Sequence, residues 1–149
     1  MKVGVVVLNY HGAANTQRCL ESLGRLDPKG CRVQVVVVDN SETGHDFEFF
    51  ERQYKEAEFL HEATPGPLQK SLTFIKAPAN RGYSGGNNIG LYISDTLLAG
   101  LDEVLIFHGV GSGRLARAVR EFLKEHPRVR AFHDAPPNMG GMGATVVEL

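Results

Sequence analysis

Short apolar runs alternate with stretches whose apolar residues recur at helical spacing. That alternation predicts an α/β chain in which each strand hands over to a helix before the next strand begins. The first run is Val3 to Leu8. The second, Val33 to Val38, is almost purely valine, as expected of a central strand covered on both faces. Leu72 to Lys76, Glu103 to Phe107, Val129 to His133 and Ala144 to Leu149 complete six strands. A helix from about Asn15 should bury Cys19, Leu20 and Leu23. Asp46 is placed to cap a second helix carrying Phe47, Phe50 and Tyr54. Residues 63–69 read ATPGPLQ, and Pro65, Gly66 and Pro67 predict a mobile surface loop. A long helix is expected through Ile89, Tyr92, Ile93, Thr96 and Leu97. A further helix puts Leu115, Val119, Phe122 and Leu123 on its core stripe and Arg117, Arg120 and Lys124 on its solvated face, and His126-Pro127 ends it.

Right-handed crossovers place the first four strands in the order 3-2-1-4, and the last two are spaced to pair as a hairpin. No linker divides the chain, so residues 1–149 are read as a single α/β domain.

Composition narrows the function classes. The chain is 42% hydrophobic and 22% charged, with a net charge of −1, so no overall basic field draws it to nucleic acid or to an anionic membrane. Its apolar runs fall short of the roughly 20 residues that span a bilayer. The opening MKVGVVVLNY reads as a strand rather than a signal peptide. Two cysteines, Cys19 and Cys31, suggest thiols in a cytoplasmic protein rather than a disulfide framework or a metal cage.

Four motifs, VVVLNYHG, TQRCLESL, VVVVDNSE and NRGYSGGNNIG, arrive in an order that resembles the nucleotide half of a family 2 glycosyltransferase of the GT-A fold. The resemblance covers residues 1 to about 90. It implies a nucleotide site made of Asn9, Tyr10, Asp39, Asn80, Gly82, Gly85 and Gly86, with Asp39 accepting a hydrogen bond from uracil or ribose. The residues fit that chemistry, since polar groups at the carboxyl edge of a parallel sheet lie where such sheets bind ligands. The family's acidic metal motif after the fourth strand is missing, because that strand runs into Phe107, His108 and Gly109. The Glu42-Thr43 pair also replaces the second aspartate often found after the DN motif, and the acceptor half of the family is absent.

A second resemblance begins near residue 94. HGVGSG, LARAVREFL and the terminal TVVEL are similar to the back half of the Smr domain that ends some MutS relatives. It implies that His11, His108, Gly109, Gly111, Gly113 and Arg114 face nucleic-acid phosphate. Successive glycines at a helix start expose backbone N–H groups that form an anion nest. Val110 stands where the family is usually basic. The Smr aspartate of LDLHG is replaced as well, since the first strand ends Leu8-Asn9-Tyr10-His11-Gly12. If the first and fourth strands are neighbours, His11 and His108 share one cleft.

The Smr resemblance also implies that the sixth strand enters antiparallel beside the fourth. The expected fold is then a three-layer Rossmann-like sheet of order 3-2-1-4-6-5 with the last strand antiparallel. A glycosyltransferase-like segment, 1–90, would meet an Smr-like segment, 94–149, within one helix near Ile89 to Asp95. The expectation is a chimeric, engineered domain without a complete catalytic site. It would need no cofactor and bind at most a nucleotide such as UDP. A nucleotide-sugar glycosyltransferase remnant and an Smr-type nucleic-acid-binding or nicking module are the alternatives.

Overall fold

The structure, a computed structural model, describes residues 2–27, 29–61, 70–77 and 100–149. Its elements in chain order are β1 (Lys2–Asn9), α1 (Ala13–Leu23), β2 (Arg32–Asp39), α2 (His45–Gln53), β3 (Glu58–Leu60), β4 (Leu72–Lys76) and β5 (Glu103–Phe107). After these come α3 (Arg114–Glu125), β6 (Ala131–Asp134), two short 3₁₀ turns at Pro137–Met139 and Gly141–Gly143, and β7 (Ala144–Glu148).

One seven-stranded mixed sheet runs β3-β4-β2-β1-β5-β7-β6. β1 pairs in parallel with β2 on one side and β5 on the other, with Val5 opposite both Val35 and Leu105. β7 is antiparallel to β5 and to β6, so the closing hairpin folds back beside the sheet centre. The expected six-strand order is corrected by an additional strand: β3 pairs with β4 outside the strand predicted to be the edge. The other six strands keep their expected relative order. The fifth predicted strand is also shifted, to Ala131–Asp134.

Valine alternation decides which side chains go to which face. Val6, Val36, Val38, Ile75, Val104 and Ile106 pack with Val119 and Leu123 of α3 on one face. Val5, Val7, Val37 and Phe74 pack with Leu20 of α1 and with Phe47 and Phe50 of α2 on the other. The α3 stripe forms largely as its spacing predicts: Val119 and Leu123 are buried, while Leu115 and Phe122 pack against that cluster. Gly4 keeps β1 close to the chain before β5, since a Cβ there would lie 2.5 Å from Leu101 Cδ1.

Asp46 does not cap α2. Gly44 holds the cap position and Asp46 lies in the first turn, where its charge still suits the positive end of the helix. Cys19 and Cys31 are free, half-buried thiols, and burial pushes the Cys19 thiol up from its ordinary range. The predicted loop at 63–69, the helix through Ile89 to Leu97 and the join near Ile89 to Asp95 lie outside the described residues.

Candidate nucleic-acid interface

The carboxyl edge of the sheet carries two polar clusters. At the ends of β1 and β2, Asn9 stands opposite Asp39, and both are buried. The Asn9 carboxamide is used on both sides. Its Nδ2 donates to Asp39 Oδ1 at 2.9 Å and to Asp46 Oδ2 at 2.8 Å, while its Oδ1 accepts from Thr16 Oγ1 at 2.7 Å. Asp39 also accepts from the Ser41 amide at 3.1 Å, from Ser41 Oγ at 2.7 Å and from Lys76 Nζ at 3.2 Å. A carboxylate removed from water needs such partners, and these ones tie α1, β1, β2, α2 and β4 together. The Asp39 carboxylate is thus committed inside the protein, away from the uracil or ribose that the glycosyltransferase resemblance would give it.

Tyr10 and His11 stand outside this clasp. Tyr10 is exposed, and its hydroxyl donates to Glu42 Oε1 at 2.8 Å. His11 adopts the left-handed backbone region at φ 47°, donates its amide to Ser41 Oγ at 2.9 Å and sets its ring against Glu42. Asn80, Gly82, Gly85 and Gly86 lie outside the described residues.

The second cluster lies at the end of β5, next to β1 in the sheet, so His11 and His108 occupy the same edge on adjacent strands. His108 is buried and its ring is spent internally. Nδ1 lies 2.9 Å from the Gly109 carbonyl and therefore carries the proton, leaving Nε2 to accept from Thr145 Oγ1 at 3.0 Å. Burial pushes the imidazole below its ordinary range and the Arg120 charge adds to this, while the Gly109 carbonyl and Asp134 pull the other way. His108 is therefore a neutral strut beneath the turn. The linear sequence holds no sign of its partner Thr145, which β7 delivers from 37 residues away.

Beyond His108 the backbone turns sharply. Gly109, Gly111 and Gly113 all take positive φ, at 76°, 40° and 76°, and a Cβ at any of them would meet nothing within 4 Å. The turn is therefore open to an incoming group along its length. It leads into α3, which among the described residues has no side-chain cap and no acidic residue in its first turn. Arg114 and Arg117 are exposed there. The helix N-terminus and two exposed arginines thus lie beside the turn, an arrangement that favours an anion, while the amides of Gly109 and Gly113 are already given to the carbonyls of Gly143 at 2.9 Å and Val110 at 3.0 Å. Among the described residues no group of three or more His, Cys, Asp or Glu is placed to hold a metal ion, and no helix is long and apolar enough to cross a membrane.

Fold and site together define an α/β domain with an open glycine turn at the carboxyl edge of its sheet. Residues 86–149 match the family model described as the Smr domain. The chain is 44% identical to endonuclease MutS2 of Helicobacter pylori over 85 residues, covering 57% of this chain and 11% of that protein. It is 53% identical to endonuclease MutS2 of a Geobacillus species over 58 residues, 39% of this chain and 7% of that one. The chain thus spans about a tenth of the length of these curated relatives. Among solved structures, the Smr domain of Thermus thermophilus MutS2 aligns at 35% identity and a TM-score of 0.40, over 47% of this chain and 89% of that one. The Escherichia coli small MutS-related protein YdaL aligns at 30% identity and a TM-score of 0.40.

The Smr-like stretch therefore starts earlier than the sequence suggests, at Gly86 rather than near residue 94. The Helicobacter alignment is longer than residues 86–149, so it also takes in residues outside that segment. The expected join near Ile89 to Asp95 falls inside the family match.

Proposed function

We propose that the chain is an Smr-type nucleic-acid-binding module whose turn 109–113 and α3 N-terminus hold backbone phosphate. The observation that carries this is the open run of left-handed glycines leading into an uncapped helix start, within the segment that matches the Smr domain. Phosphate contacts of this kind position a strand without reading its sequence. Binding should therefore tolerate changes of sequence and fall steeply with salt. Strand cleavage, named in the MutS2 relatives, is a step further. Here both His108 nitrogens are occupied, so this edge offers phosphate contacts more readily than a proton-transfer group.

Fluorescence titration of a labelled oligonucleotide at about 50 and 200 mM salt tests the reading. Arg114→Glu and Arg117→Glu should each weaken binding and lower the salt slope by about one. Binding that ignores salt and both substitutions would sink it. A parallel titration with UDP tests the nucleotide reading, for which Tyr10 is the exposed member of the described residues assigned to it. A chimeric fold without function predicts silence in both titrations.

A further inference from the structure

Two exposed side chains at the mouth of the glycine turn are ill suited to phosphate. Val110 is 61% exposed and Met142 is 74% exposed. The backbone holds their loops together. The Gly143 carbonyl accepts from the amides of His108 at 3.0 Å and Gly109 at 2.9 Å, and a Cβ on Gly143 would lie 3.6 Å from Val110 Cγ2. Val110 therefore rests against Gly143 of the 141–143 turn, whose chain neighbour is Met142. Gly109, Gly111, Gly113 and Gly141 present open backbone around the pair.

We propose that Val110 and Met142 form an apolar platform for an unstacked base of single-stranded DNA, while the glycine turn and the start of α3 hold the adjoining phosphates. This rests on the phosphate-binding reading above and specifies its substrate class. A duplex keeps its base faces stacked, whereas a single strand offers a flat apolar face next to every phosphate, matching an apolar pair set beside a cationic helix start. The thioether of methionine adapts to any base, so the platform does not select sequence. Deoxyribose suits it better than ribose. With the base face on the platform, its sugar lies at the apolar rim, where a 2′-hydroxyl would lose water without gaining a partner.

The test compares one oligonucleotide sequence as single-stranded DNA, as duplex DNA and as single-stranded RNA, on the wild-type chain and on Val110→Ser/Met142→Gln. Wild type should hold single-stranded DNA about tenfold tighter than duplex. The double variant should bring that ratio within about twofold, and Met142→Gln alone, which lies outside turn 109–113, should lower it with duplex binding unchanged. A wild-type chain that shows no such ratio, or a ratio that survives the double variant, overturns the platform while the phosphate reading stands. RNA held as tightly as DNA overturns the assignment to DNA. If no nucleic acid binds, the phosphate reading fails and the platform with it. Thermal unfolding checks the fold of the double variant, and Met142→Gln alone, at the more exposed position, repeats the comparison should the pair prove unstable.

Discussion

A carboxylate in place of the Asn9 carboxamide would sit between Asp39 and Asp46, where Nδ2 now donates to both. Two hydrogen bonds would become two repulsions in a buried site. Asn9→Asp should therefore lower stability by about 2–4 kcal/mol near neutral pH and by less in acid, where the new carboxyl group protonates. Urea unfolding at about pH 7 and pH 4 checks this, and an unchanged midpoint at both would show that the clasp is looser than its distances. His108 carries a pH dependence of the opposite hand. Its folded state resists protonation, so its share of stability is complete above the ordinary value of 6.5 and is lost as pH falls from there toward the lowered folded value. His108→Gln should flatten that part of the stability profile below the ordinary value of 6.5. A profile as steep as wild type would place the titrating group elsewhere. The sequence singles out Asn9, Asp39 and His108 as polar residues at strand ends. What each of them bonds to depends on Ser41, Asp46, Lys76 and Thr145, which only the folded sheet brings near.

At the scale of elements, the aromatic side chains of α2 carry one face of the sheet. Phe50 stacks on Phe74 with centroids 4.9 Å apart, and Phe59 of β3 stacks on the same ring at 5.0 Å. Phe50→Ala should cost about 3–5 kcal/mol, read as a lower urea midpoint, because the buried site cannot collapse around the missing ring. A loss under about 1 kcal/mol would mean that α2 is not seated as described. Helical periodicity reveals α2 and α3 because each repeats its apolar stripe over several turns. β3 is invisible to the same test, since its three residues are too few to show a period. It exists because Phe59 finds Phe74 and because β4 has a free edge to pair with.

At the scale of the molecule, β1 is flanked by β2 and β5, and β7 returns antiparallel beside β5. This order sets the ends of β1 and β5 side by side and brings the 140–143 turn under His108. The ends of β1, β2 and β5 thus meet at one sheet edge, with a clasp of buried polar groups at β1 and β2 and an open glycine turn at β5. The sequence by itself determined the α/β alternation, the core valines, the α3 stripe and the glycine turn, because each is a local pattern of side-chain period or backbone permissiveness. Only the tertiary structure decided the seventh strand, the inward commitment of Asp39 and His108, and the meeting of Val110 with the 141–143 turn. Those outcomes depend on groups far apart in the chain whose pairing is chosen by desolvation, where a buried polar atom takes whichever partner the fold sets within hydrogen-bond reach.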